Sequence, residues 1–201
     1  MVMKFKELFR KSITFFDIDE TLFHTKARVH VVKNNKVIKK LTNQEYNTYK
    51  LQDGEEFNYD EFKDSELFVN TSEPIVPIIK KLTSMFKNIQ TTGSDMYLLT
   101  ARRDFDNKEK FLKFLNNFGI KAGNIKDKKI HVIRAGNRPG KNSADRKKEI
   151  VREFLNTGNY YKVRLYDDDK SNLKAVKSLQ DDFRDVVFEM FQIKNGKVEK
   201  Y

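Results

Sequence analysis

Two aspartates, Asp17 and Asp19, close the short apolar run Ile13-Thr-Phe-Phe, and Thr21 follows them at the same spacing. Side chains alternate along an extended strand, so the two carboxylates project to one side if the strand continues. Two carboxylates placed together at the end of a buried strand repel each other. The pair calls for a cation, a shared proton or a chemical task. Three more stretches offer partners. Leu98-Leu-Thr100-Ala-Arg102 ends an apolar run in a hydroxyl. Asp145-Arg-Lys147-Lys-Glu-Ile150 brings a lysine onto a helical segment. Leu165-Tyr-Asp167-Asp168-Asp169 ends another apolar run in carboxylates, with Asn172-Leu173 behind it.

The elements that carry these residues are legible from periodicity and turn chemistry. Ile13–Phe16 is rich in β-branched and aromatic residues and reads as a buried strand. Two β-rich runs between Arg28 and Leu41 flank Asn34-Asn35, a hairpin signal. Thr42 reads as the N-cap of a short helix over 43–49. Residues 52–72 are acidic and aromatic and are expected to be a loop-rich excursion. Ser72 is expected to cap a helix with Pro74 in its first turn and Ile75, Ile78, Ile79, Leu82 and Phe86 on one face. Strands are expected at 96–100, 130–133, 163–166 and 186–193. Helices are expected over 106–118, from Ser143 to about Leu155, and from Ser171, with Gly119 and Gly158 as stops. Asn195-Gly196 turns the last strand into a short extension. From Glu73 onward strand and helix alternate, the pattern of a parallel sheet covered on both faces. In such sheets ligands bind at the carboxyl ends of the strands. The segment 24–72 breaks the alternation and reads as an insert over that edge. The expected domains are therefore a core of 1–23 and 73–201 and a small cap of 24–72 containing a hairpin.

Composition narrows the chemistry. The 201 residues contain no cysteine, which excludes disulfides, thiol catalysis and cysteine-based zinc sites. The three histidines, His24, His30 and His131, lack metal-ligand spacing. Met1–Lys11 is basic and amphipathic without a following apolar stretch, and no run reaches transmembrane length. A cytoplasmic protein with no membrane partner is expected. The net charge of +11 favours polyanionic partners, nucleic acid first; a lysine-rich solvated surface explains it equally well.

In chain order, Asp17-x-Asp19-x-Thr21, the strand-end Thr100, Lys147 and the Asp167-Asp168 pair resemble the motif set of the haloacid dehalogenase (HAD) superfamily. The resemblance spans nearly the whole chain. It implies a Rossmann-like α/β fold, a parallel sheet with helices on both faces and a cap inserted after the first strand. It also implies a magnesium-dependent phosphomonoesterase. In that reading Asp17 is the nucleophile that forms an aspartyl-phosphate, and Asp19 is the general acid and then the general base. The backbone carbonyl of Asp19 is a metal ligand. Thr100 hydrogen-bonds a phosphoryl oxygen, and Lys147 places positive charge on the transferring group. Asp17, Asp19, Asp167 and Asp168 hold Mg2+, one of the last two directly and the other through water. Lys141, Arg146 and Lys148 rival Lys147; spacing to Ile150 favours Lys147. Asp169 is a helix-capping or outer group. Arg102 and Arg103 are substrate-steering groups or surface charges.

The stretch from Lys147 to the Asp pair is also similar to the phosphatase domain of phage polynucleotide kinase-phosphatase. With the charge, that points to a nucleotide or polynucleotide phosphate end as substrate. Arg102, Arg103, Arg134, Arg138, Lys141 and Arg146 would attract a polyanion, and 136–140 reads as a mobile basic loop. No kinase phosphate loop is present. Tyr46, Tyr49, Phe57, Tyr59 and Phe62 either stack on a base or pack the cap. The competing readings are a non-catalytic nucleic-acid-binding or assembly protein on the same scaffold, a sugar-phosphate phosphatase, and a phosphomutase.

Overall fold

A computed structural model describes residues 10–123 and 129–201. The basic segment up to residue 9 lies outside them. In chain order the elements are β1 (Lys11–Phe16), β2 (Phe23–His24), β3 (Val29–Lys33), β4 (Lys36–Leu41), α1 (Asn43–Thr48), β5 (Glu55–Asn58), α2 (Ser65–Thr71), β6 (Glu73–Pro74) and α3 (Val76–Thr92). There follow β7 (Asp95–Thr100), α4 (Lys108–Asn117), β8 (His131–Arg134), α5 (Ser143–Asn156), β9 (Tyr160–Asp167), α6 (Lys170–Lys177), β10 (Val187–Lys194) and β11 (Lys197–Lys200). The protein is a mixed α/β structure around a six-stranded sheet of order β11-β10-β9-β1-β7-β8. Every pairing in it is parallel except β10 with β11.

Alternation along the central strands sends their side chains into two cores. Phe16, Leu98 and Val132 face α3 and α4, where they meet Ile78, Leu82, Phe111 and Leu115. Ile13, Phe15, Tyr97 and Leu99 face α5 and α6, where they meet Ile150, Val151, Leu173 and Val176. β1 sits between β9 and β7 and is buried on both faces, which is why its sequence is a continuous apolar run rather than an alternating one. Phe16, Tyr166 and Phe191 stack across three neighbouring strands, with ring centroids 4.3 and 4.6 Å apart. The stack lies one residue before Asp17 and fixes the register there.

The segment after β1 is more ordered than its sequence suggests. β3 pairs with β4 through the Asn34-Asn35 turn, both residues at positive φ, and β5 adds on the other side of β3. The expected loop over 52–72 therefore contains a strand, a 3-10 turn over Asp60–Phe62 and the helix α2. Glu55 and Glu56 hid the strand, because only Phe57 of it packs on a core while the Glu55 carboxylate bonds the Tyr49 hydroxyl and the Gln52 N–H. Thr42 and Glu45 cap α1 reciprocally. Val29, Val31 and Leu41 form a small core with Tyr46, Tyr49, Phe57 and Phe62 packed on it.

The helix expected from Ser72 begins later. Glu73-Pro74 instead pairs with Phe23-His24 as a two-residue antiparallel bridge, and α3 starts at Val76 with Pro77 in its first turn. Two prolines lie close together, and only the second sits where the missing N–H costs nothing. Asn142, rather than Ser143, caps α5. Asp169 caps α6 through the Ser171 N–H at 2.7 Å. Among the described residues, no helix is long and apolar enough to cross a membrane.

Candidate functional site

The register of the parallel strands decides which side chains meet. Phe16 lies beside Tyr166, and the Asp17 N–H donates to the Tyr166 carbonyl at 2.9 Å. Asp17 therefore stands beside Asp167 at the carboxyl end of the sheet. Phe16 also lies beside Leu98, which brings Thr100 to the same edge two residues on. One carboxylate oxygen each from Asp17, Asp167 and Asp168 can be chosen so that all three lie within 4.8 Å of one another.

Lys147 reaches this cluster from α5. The helix buries Ala144, Lys147, Ile150, Val151 and Leu155, so the lysine lies on the face that packs on the sheet. Its Nζ donates to Asp17 Oδ1 and to Asp167 Oδ2, each at 2.7 Å, and the residue is only 1% exposed. Lys141 is exposed and Lys148 half-buried, so of the three lysines Lys147 is the one buried against the carboxylates. The other oxygen of Asp167 accepts from the Asp169 N–H at 3.0 Å and from Asn172 Nδ2 at 2.9 Å. Asp167 is thus fixed on both oxygens. Asn172 anchors it, a role its position one turn into α6 did not advertise.

Burial dominates the electrostatics. It pushes the Asp17 carboxyl up to about 8; Lys147 opposes that rise, while Asp167 and Asp19 add to it. Asp168 is pushed up to about 9, again by burial first and then by Asp167 and Asp17. Burial works against the Lys147 ammonium, but Asp167 and Asp17 outweigh it and its proton is held more tightly than usual. One ammonium cannot neutralise three carboxylates. The remaining charge asks for a further cation or for bound protons. The donor set fits a hard divalent ion such as Mg2+, which prefers carboxylate oxygens. Asn172 Oδ1 and Thr21 Oγ1 are buried without a hydrogen-bond partner among the described residues.

Asp19 is placed differently. Arg102 Nε lies 3.1 and 2.9 Å from its two carboxylate oxygens, and Nη2 donates to Oδ1 at 2.6 Å. Thr25 Oγ1 adds a bond of 2.8 Å to Oδ1. Arg102, read from the sequence as a substrate-steering group or a surface charge, is 3% exposed and so is not a surface charge. Its Nη1 donates to the Phe62 carbonyl at 2.9 Å, and its guanidinium lies 4.8 Å from the ring centres of Phe62 and Phe68. The strand end that bears Arg102 showed nothing of this environment, because the Phe62 and Phe68 rings and the Asp19 carboxylate come from distant parts of the chain.

Thr100 is fully buried, and its Oγ1 accepts from the Arg102 N–H at 3.1 Å. The 136–140 stretch begins in a 3-10 turn over 135–137 that packs on motif backbone. Gly136 donates to the Arg102 carbonyl at 3.3 Å, and a Cβ there would stand 2.5 Å from the Ala101 carbonyl oxygen. Glu20, inside the first motif, has φ of +54°, and its carboxylate bonds the Thr25 N–H at 3.0 Å and His24 Nδ1 at 2.8 Å. These bonds tie down a turn that a non-glycine residue rarely adopts.

The arrangement presents a buried carboxylate at a strand end, a buried ammonium touching it, a second carboxylate held nearby by an arginine, and three acids close enough together to hold a metal. No protein-family model matches the chain, and no curated protein matches it.

Proposed function

We propose that the chain is a magnesium-dependent phosphomonoesterase of the HAD type, with Asp17 as nucleophile. One observation carries the reading: Asp17, at the end of a central parallel strand, shares a buried lysine with Asp167 and lies within metal-binding reach of Asp167 and Asp168. Mg2+ held by Asp17, Asp167, Asp168 and the Asp19 carbonyl would offset the repulsion between a phosphate dianion and the attacking carboxylate. A carboxylate oxygen of Asp17 attacks phosphorus, and the bond to the leaving oxygen breaks. Asp19, turned off Arg102, gives that oxygen its proton. Asp19 then takes a proton from a water whose oxygen attacks the phosphorus of the aspartyl-phosphate, freeing phosphate and restoring Asp17. Lys147 and the Thr100 hydroxyl stabilise the charge on the phosphoryl oxygens.

In this reading residues 24–72 are the cap, and the 3-10 turn over Asp60–Phe62 within it offers the Phe62 carbonyl and ring to Arg102. The charge of +11 favours a nucleotide or polynucleotide phosphate end as substrate. Phosphate release from p-nitrophenyl phosphate with Mg2+ tests the chemistry. Asp17→Asn is expected to abolish release while circular dichroism stays native. No release by the parent, or full release by the variant, refutes the reading. A panel of 3′- and 5′-phosphorylated oligonucleotides, mononucleotides and sugar phosphates tests the substrate class. Turnover confined to sugar phosphates refutes the nucleic-acid preference.

A further inference from the structure

A second cluster of cations lies away from the acidic site, on the outer flank of the sheet. β8 is its edge strand, and between it and α4 is a cavity of about 320 Å3 lined by Lys108, Leu112, Gly123, His131, Val132 and Arg134. Three of those six residues carry or can carry positive charge. Arg134 is 9% exposed, and its guanidinium rests 5.6 Å from the centre of the Phe111 ring. Its Nε and Nη2 have no hydrogen-bond partner among the described residues. Asp104 Oδ1 lies 3.2 Å from Nε, out of line for a hydrogen bond, and most of the Asp104 side chain is in solvent. A buried donor left unmade costs about 1–3 kcal/mol, more when it is charged. Burial first, and then Lys108 and Arg134, disfavour protonation of His131, against a Gly123 backbone hydrogen bond that favours it.

Lys108, His131 and Arg134 converge on this cavity, and an oxyanion seated in it would offset their mutual repulsion. A tetrahedral phosphate oxygen set suits an arginine fork beside an ammonium. Arg134 pairs in register with Thr100 at the carboxyl end of β7, so it stands at the same edge of the sheet as the acidic site, two strands from Asp17.

We propose that Lys108, His131 and Arg134 form a subsite for a phosphate-class oxyanion, distinct from the acidic cluster. The subsite itself stands on this geometry. The source of the anion, a phosphodiester of a polynucleotide whose terminal phosphate lies at Asp17, rests on the phosphomonoesterase reading.

The chain has only three histidines, so its imidazole NMR signals are few, and His131→Gln assigns the one that matters. In the full chain with chelator present, inorganic phosphate is expected to move the His131 signals saturably and to raise their titration midpoint. Lys108→Glu, an exposed position, should abolish that response. An unmoved His131 signal, or a response retained in Lys108→Glu, overturns the subsite.

A short phosphorylated oligonucleotide is the second probe. Its action at concentrations where inorganic phosphate is silent identifies a chain phosphate, and equal potency identifies the free anion. In kinetics, Lys108→Ala should raise KM for the oligonucleotide roughly tenfold, the loss of one charge-assisted contact, and leave p-nitrophenyl phosphate unchanged. Equal KM on both overturns the polynucleotide source. If the parent hydrolyses nothing, the function reading fails, while the histidine titration still decides the subsite.

Discussion

Replacing Lys147 by Met should unbalance the acidic site more than any other single change. The side chains are similar in length, so packing is largely kept while the charge is lost. At 2.7 Å and an effective dielectric constant near 20, each of the two ion pairs represents about 6 kcal/mol of gross attraction. Desolvation of the ammonium offsets much of that. Breaking a buried pair from one side costs about 3–5 kcal/mol net. For a chain of this length about 1 kcal/mol moves the melting temperature by roughly 2–4 °C. The variant should therefore melt roughly 6–20 °C lower in chelator at pH 8. Its three carboxylates then have no internal counter-charge, so Mg2+ should stabilise the variant more than the parent. Calorimetry of both proteins with chelator and with Mg2+ measures this directly. Equal melting temperatures in chelator, or an equal gain from Mg2+, would refute the idea that Lys147 neutralises a cation-seeking cluster.

The same carboxylates set a pH dependence. Their folded values, about 8 for Asp17 and about 9 for Asp168, lie above the unfolded 3.8, so the native state holds protons that the unfolded chain has released. The stability this confers is full below about pH 4 and lost as pH rises through 8–9. In chelator the denaturant midpoint should fall steadily from pH 5 to 9, and Mg2+ should remove most of the slope; a midpoint rising over that range contradicts it. Arg102→Lys should cost roughly 3 kcal/mol in chemical denaturation, because an ammonium cannot span both Asp19 oxygens and the Phe62 carbonyl. The same variant should slow release from an alkyl phosphate more than from p-nitrophenyl phosphate, whose leaving group needs no acid; equal slowing argues against placement of Asp19 by Arg102. Gly136→Ala should cost roughly 1–3 kcal/mol, since the added carbon meets backbone that cannot step aside. An unfolding titration matching the parent would show that the turn relaxes freely.

The central sheet and the acidic cluster were largely written in local sequence. β1 and β7 carry apolar runs because they are buried on both faces, β9 is buried throughout only over its last three residues, Leu165–Asp167, and each strand ends where a polar residue reaches the carboxyl edge. Strand register then brings Asp17 beside Asp167 with no further information. What was not legible depended on distant chain. β5 reads as acidic and irregular because its partner β3 supplies the pairing. Pro74 looked like a helix start because the residue it pairs with, Phe23, lies far back in the chain. Arg102 looked like a substrate-steering or surface cation because the Phe62 and Phe68 rings over it come from the insert and its partner Asp19 lies 83 residues away.

The last strand has a consequence for how copies of the chain meet. β11 reads Lys-Val-Glu-Lys, every residue of it is exposed, and it runs antiparallel along the outer side of β10. An approaching identical strand would set lysine near lysine at the moment its backbone began to pair. That margin resists fibril-like stacking, and trimming the chain back to Asn195 would hand the unpaired backbone of β10 to any neighbour with a free strand.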